Sequence, residues 1–307
     1  MEVRQSEVVT MKNLNIFVLV FTVSAFLILA GCTQSQTAQQ TPLPQQTLQP
    51  TAAARPADTV NLGNTTLGSV LTDAKGMTLY YFTTDLSGEG TSTCYGKCAM
   101  IWPVFSTSVI TVSPPLMAAD FGSINRTDGT QQTAYKGWPL YYFQNDANPG
   151  DVKGENVAKT WYVAKPDYTL MIATRPATGS YLTDGTGKTL YFFAKDTNGT
   201  SACTGACLTK WPAFSVDTIS APSVINTSDF STVIRADDVK QIAFMGQPLY
   251  YYSGDMNASD LNGEGFNNVW FAANVTGLLP TPQTTVTTAI TLQQTTSSMG
   301  YSSSSGY

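Results

Sequence analysis

The chain of 307 residues contains no histidine. Without an imidazole, the Ser-His-Asp and Cys-His nucleophile arrangements, histidine-ligated haem and most catalytic zinc sites are excluded together. Charge is scarce as well: Asp, Glu, Lys and Arg make up 12% of the chain and the net charge is -5. Nothing here would neutralise phosphates along a groove, so no nucleic-acid partner is expected. Cysteine is limited to five residues, which divide into Cys32 near the N-terminus and two pairs, Cys94 with Cys98 and Cys203 with Cys207.

A long hydrophobic run occurs once, over residues 14–30, preceded by Lys12 and ending Leu29-Ala30-Gly31-Cys32. Residues 1–32 therefore read as an export signal whose end resembles a lipobox, in which Cys32 becomes the lipidated first residue of the mature chain. An uncleaved membrane anchor is the alternative, since the run approaches the length that crosses a bilayer. Met11 offers a second start with a shorter charged leader. Either way the bulk of the chain is expected outside the cytoplasm, at the outer face of the cell membrane. Residues 33–58 are Gln, Thr, Pro and Ala with almost no large apolar side chains, the composition of a disordered tether. Residues 279–307 are rich in Ser and Thr and read as a disordered tail, in which Tyr301 and Tyr307 give no sign of a site.

What the chain has in abundance is one ten-residue phrase. Gly76-Met77-Thr78-Leu79-Tyr80-Tyr81-Phe82-Thr83-Thr84-Asp85 recurs at 137–146, 187–196 and 246–255 as Gly, any residue, Thr or Pro, Leu, Tyr, two aromatics, any two residues, Asp. Leu followed by three aromatics between a Gly and an Asp predicts a β-strand. The period of two puts Tyr80 and Phe82 on one face and Leu79 and Tyr81 on the other. Neither face is polar, so both are expected to be covered. The Asp falls where the strand must stop, with a carboxylate able to accept from loop amides. A catalytic or ligand-binding role for the four Tyr/Asp sets stands as the competing reading.

A larger duplication contains these phrases. Gly68-Ser69-Val70-Leu71-Thr72-Asp73 matches Gly179-Ser180-Tyr181-Leu182-Thr183-Asp184, and Trp161-Tyr162-Val163-Ala164 matches Trp270-Phe271-Ala272-Ala273. The offset is 111 residues at the start and 109 from the cysteines onward, which places a short deletion in the loop after Asp196. Two β-rich domains are expected, 60–167 and 169–276, each a small sandwich or barrel. In the first half of each, Asp73-Ala74-Lys75-Gly76 has the composition of a hairpin turn. In the second half, Lys136-Gly137 is short enough to pin the register. Pro139 and Pro248 predict that their strands begin there or run along an edge.

The Cys-x3-Cys pairs carry the sharpest chemistry. On a helical turn, residues four apart have Cα atoms about 6 Å apart, within disulfide range, and an oxidising compartment makes a local bond the default. The duplication favours Cys94 with Cys98 and Cys203 with Cys207, each bond closing a loop worth roughly 2 kcal/mol in the chain-entropy model. Metal or copper(I) binding and redox-active thiols are the alternatives. Copper centres with this spacing also use histidine, and Met100 has Thr209 as its counterpart, so a duplicated copper site is not supported. After each second-half strand comes an acidic loop, Asp146, Asp151, Gly154 and Glu155, matched by Asp255, Asp260, Gly263 and Glu264. These carboxylates are either calcium ligands or turn stabilisers. Gly187-Lys188-Thr189 ends like a phosphate-binding loop but lacks the earlier Gly, Leu182 standing there, so it reads as a hairpin turn. Asn64, Asn125, Asn198, Asn226, Asn257 and Asn274 begin Asn-x-Ser/Thr sequons that a glycosylating host could modify.

In combination, the tandem Tyr-x-aromatic-x-x-Asp strands, the Cys-x-Gly-x-Cys before Trp-Pro, the Gly-x-Pro-Leu-Tyr of each second half, the acidic Gly loop and the lipobox resemble the secreted-repeat lipoproteins with the Y-x4-D motif. The signature falls on Tyr80, Phe82, Asp85; Tyr141, Phe143, Asp146; Tyr191, Phe193, Asp196; and Tyr250, Tyr252, Asp255. The residue before Pro-Leu-Tyr, often histidine in similar sequences, is Trp138 and Gln247 here, which weakens any metal-site inference. The resemblance implies place and fold more than reaction. The expectation is an all-β, non-catalytic lipoprotein with a surface-binding or envelope-structural role. It would use no cofactor, calcium apart, and its partners would be the membrane through the lipid and an unidentified envelope protein or surface ligand. A redox or copper-handling accessory is the rival.

Overall fold

The computed structural model describes residues 59–197 and 199–276, which form strands, turns, short helices and irregular loops. The export signal with Cys32, the tether, the tail and Asn198 lie outside the described residues. In the first copy, β1 (Val60–Thr65) and β2 (Gly68–Asp73) form a hairpin. They are followed by β3 (Tyr80–Phe82), α1 (Lys97–Ile101), β4 (Phe121–Asn125), β5 (Gln131–Tyr135), β6 (Trp138–Tyr141) and β7 (Trp161–Val163). The second copy repeats them as β8 (Leu170–Arg175), β9 (Gly179–Asp184), β10 (Tyr191–Phe193), α2 (Ala206–Lys210), β11 (Phe230–Ile234), β12 (Lys240–Phe244), β13 (Gln247–Tyr250) and β14 (Trp270–Ala272). Each copy holds one five-stranded antiparallel sheet, ordered β4-β5-β6-β3-β7 and β11-β12-β13-β10-β14, beside its own hairpin. The chain is thus all-β with a short helix beside each cysteine pair. Single 3-10 turns at Ala118–Asp120, Thr227–Asp229 and Phe266–Asn268 add to the helical content read from the sequence.

The aromatic phrases are the sheet centres. β3 and β6 pair with Tyr80 opposite Tyr141 and Tyr81 opposite Leu140. Leu79, Tyr80, Tyr81, Leu140 and Tyr141 are fully buried, so both faces are covered, as the absence of a polar face requires. The second-half register is set by a two-residue turn whose residues both have positive φ, Lys136 at 46° and Gly137 at 83°, the signature of a type I′ hairpin. The turn at 73–76 also forms, with Asp73 Oδ1 accepting from the amides of Lys75 and Met77 at 2.8 and 2.9 Å. The partner of β2 over its full length, however, is β1, and its link to the aromatic strand is a single bridge, Thr72 to Thr78. The proline strands start one residue ahead of Pro139 and Pro248 and lie inside the sheet, not at an edge. Pro139 is tolerated there because it stands opposite Ala134, past the last rung that β6 shares with β3.

The two copies share their interior. Tyr81, Leu86, Trp138 and Tyr162 of the first belong to one hydrophobic cluster with Leu170, Ile172, Tyr181 and Leu190 of the second. Hydrogen bonds cross between them: Thr174 N–H donates to the Thr83 carbonyl at 2.8 Å and Ser259 Oγ to the Ser87 carbonyl at 3.0 Å. Trp138 is buried in this shared cluster, while Gln247, its counterpart, is half-buried.

Candidate functional site

The centre of each sheet holds the motif side chains. Because β3 and β6 pair antiparallel with Tyr80 opposite Tyr141, the tyrosine of each phrase points at the aspartate of the other half. Tyr80 donates to Asp146 Oδ2 at 2.6 Å, and Tyr141 donates to Asp85 Oδ2. In the second copy Tyr191 donates to Asp255 at 2.6 Å and Tyr250 to Asp196 at 2.7 Å. Tyrosine and aspartate of one phrase are therefore not partners; the motif works by exchange between phrases. The second carboxylate oxygen closes the loop that follows its own strand, accepting from Thr93 N at 2.6 Å, Lys153 N at 3.0 Å, Ala202 N at 2.7 Å and Asn262 N at 2.9 Å. All four aspartates are buried. Burial holds their carboxyls above the ordinary value against the bonds that favour ionisation. The four tyrosines are likewise held above theirs, first by burial and then by the neighbouring aspartate.

Around each exchange lies an aromatic stack. Trp102 and Trp161 are parallel with centroids 3.9 Å apart, Trp211 and Trp270 with centroids 3.8 Å apart. Phe82 and Phe193 extend the row on Trp161 and Trp270, while Phe143 and Tyr252 pack on Trp102 and Trp211. The disulfides pack in the same clusters: Cys94 with Cys98 and Cys203 with Cys207, with Cα atoms 5.2 and 5.3 Å apart. Cys94 and Cys203 are fully buried. They precede the helices, so each bond ties a loop to a first turn instead of spanning one turn.

The acidic loop is a closing device in every residue. Asp151 Oδ2 accepts from the amides of Ala147 and Asn148 and from Lys153 Nζ. Lys153 first, then those amides, holds its carboxyl down to about 2. Gly154 lies against the rings of Trp102 and Tyr80, where an added Cβ would come within 2.8 Å of both. Glu155 Oε2 accepts from Val163 N at 2.7 Å, tying the loop to β7. Asp260 accepts in the same way from the amides of Met256 and Asn257, with Asn262 standing where Lys153 does in the first copy, while Gly263 lies against Tyr191 and Trp211 and Glu264 accepts from Ala272 N at 2.6 Å. Among the described residues, no three or more His, Cys, Asp or Glu side chains converge as a metal site requires. Asn64, Asn125, Asn226 and Asn257 are exposed, and Asn274 is half-buried with its amide donating to the Thr178 carbonyl.

Sequence reasoning missed one pair of residues. Arg126 and Arg235 are buried and tie the cysteine loop to β5 and β12, donating to Ser92, Gln132 and the Cys94 carbonyl in one copy and to Ser201, Gln241 and the Cys203 carbonyl in the other. The usable signal was an Arg-x-Asp at the same place in both copies of a chain poor in charge. No helix among the described residues is long and apolar enough to cross a membrane. No curated protein and no solved structure matches the chain. Residues 62–106, 122–165, 172–215 and 231–274 each match one family description, a secreted repeat of unknown function, and every match covers one Tyr–Asp phrase with its hairpin. Four matches over more than half of the chain establish that it belongs to the Lipoprotein_15 family of secreted repeats and is extracytoplasmic.

Proposed function

We propose that the protein acts without catalysis, as a binding or structural component of the cell envelope, held to the outer face of the membrane by a lipid on Cys32. The observation that carries this reading is the reciprocal Tyr–Asp exchange. The acids and hydroxyls that a catalytic site would use are consumed inside the sheets, joining one half to the other. Leu29-Ala30-Gly31-Cys32 supports the anchor, residues 33–58 supply a spacer, and the disulfides suit an oxidising compartment. The partner is an envelope protein or surface ligand, engaged with no cofactor.

The test compares the full chain with Cys32→Ala in a host that lipidates exported proteins. Detergent-phase partitioning and mass spectrometry of the mature N-terminal peptide are expected to find the wild type acylated and membrane-bound and the variant not. The same distribution for both removes the anchor. Thiol titration of denatured, unreduced protein separates the redox or copper-handling rival. No free thiol is expected from Cys94, Cys98, Cys203 or Cys207, and four would overturn the structural role of the bonds.

A further inference from the structure

The two copies differ at one position that matters to their surface. In the first, the edge of the Arg126 guanidinium is held by Ser92, Gln132 and the Cys94 carbonyl, and its face is covered by Tyr95, whose ring centroid lies 4.3 Å from Cζ. The Tyr95 hydroxyl accepts from Thr127 N at 3.1 Å. In the second copy Arg235 is held the same way, at 2.8 Å from Ser201 Oγ and 2.6 Å from Gln241 Oε1, but the residue in the Tyr95 position is Thr204. A cavity of about 320 Å³ lies there, walled by Ser201, Thr204, Val233, Arg235 and Ala236 among others. Three groups register the missing ring. Ser201 is half-buried where Ser92 is buried. Ala236 N, the counterpart of the Thr127 donor, makes no hydrogen bond to any described residue. Arg235 is only 6% exposed, yet its Nε, 3.3 Å from Asp237 Oδ1, has no aligned acceptor.

We propose that this cavity is a binding site for a phenolic ring, the group that the first copy carries on its own chain as Tyr95. The charge of Arg235 does not make it an anion site, because the guanidinium edge is already turned to Ser201, Gln241 and the Cys203 carbonyl and is balanced by Asp237. What remains is the planar face, which attracts aromatic rings. Ala236 N supplies the donor for the phenol oxygen, as Thr127 N does for Tyr95. The volume is at the small end of ligand pockets, about 300 Å³ upward, which fits one substituted ring. The phenol is either a free small molecule or a tyrosine side chain.

Titration of the full chain with p-cresol, followed by amide resonances, tests the site. Saturable shifts are expected at Ser201, Thr204 and Ala236 and none at their counterparts in the first copy. Thr204→Tyr fills the cavity with the chain's own ring and is expected to weaken binding at least about tenfold, the effect of one good ring contact. Tyr95→Thr is expected to open a second site, with new shifts at Thr127, and keeps the test decisive if Thr204→Tyr fails to fold. The same titration of a chain carrying Tyr301→Ser and Tyr307→Ser identifies the source. Binding by both chains upholds an external phenol; binding by the serine chain alone upholds the site with the ring supplied by the tail. Absence of saturable shifts in both, or unchanged affinity in Thr204→Tyr, overturns the proposal.

Discussion

At the scale of single residues, the decisive unit is a buried carboxylate and the hydroxyl aimed at it. Asp255 is held above its ordinary value by burial, which outweighs the bonds from Tyr191 and Asn262. The folded chain therefore binds that proton more tightly than the unfolded chain. Stability contributed by this group falls as pH rises from the ordinary carboxylate value through the folded one, and is regained on acidification. Tyr191→Phe removes a bond that favours the ionised form and leaves Asp255 Oδ2 and Gly263 N without their partner. A loss of about 1–3 kcal/mol at neutral pH is expected for a buried group stripped of its bond, with part of it recovered in mild acid, where Asp255 takes up its proton. Denaturant unfolding of both proteins at the two pH values checks this, and an equal loss at both would show that Asp255 does not titrate with the fold. A different outcome is expected at Tyr81, whose buried hydroxyl faces the Ile172 backbone without forming an aligned bond and whose counterpart is Phe192. Tyr81→Phe is expected to leave stability unchanged or raise it by up to about 1 kcal/mol, read from the same unfolding curves.

At the scale of elements, much was legible. The phrase Leu-Tyr-aromatic-aromatic fixes a strand wherever it occurs because two apolar faces need two coverings, and Lys136-Gly137 fixes a register because only a tight turn with positive φ joins such strands. The duplication favoured the two local disulfides, and both form, although each ties a loop to a first turn and does not span one helical turn. What the order of residues did not disclose is which aspartate each tyrosine serves, since the exchange joins residues 66 and 56 positions apart and exists only once β3 lies beside β6. Arg126 was silent for a related reason: it belongs to no periodic pattern, and its acceptors lie up to 34 positions away. The glycine of the acidic loop also acquires its meaning only in three dimensions. Its φ is not in the left-handed region, so the requirement is space against Trp102 and Tyr80. Gly154→Ala is expected to cost about 1–3 kcal/mol through forced movement of two packed rings. Near-ultraviolet circular dichroism of the tryptophan stack and thermal unfolding would register it, and a neutral result would show that the stack yields.

At the scale of the whole molecule, the question is whether a duplicated chain behaves as two bodies or one. The sheets are separate, each with its own Tyr–Asp exchange and its own disulfide. The apolar side chains between them are not separate. The position before Pro-Leu-Tyr has become Trp138 in the first copy, and this buried ring stands edge-on to Tyr81 with centroids 5.1 Å apart, inside the cluster that contains Leu170 and Ile172 of the second copy. Independent domains would expose such residues when either unfolds, so a shared cluster couples the two transitions. Trp138→Ala creates a cavity in that cluster and is expected to cost about 3–5 kcal/mol. By calorimetry the wild type is expected to melt in one transition whose calorimetric and van't Hoff enthalpies agree, and the variant to melt in one transition at lower temperature. Two resolved transitions, with only one displaced by the substitution, would mean that the copies fold apart and that the common interior is a contact between finished domains instead of part of a single cooperative core.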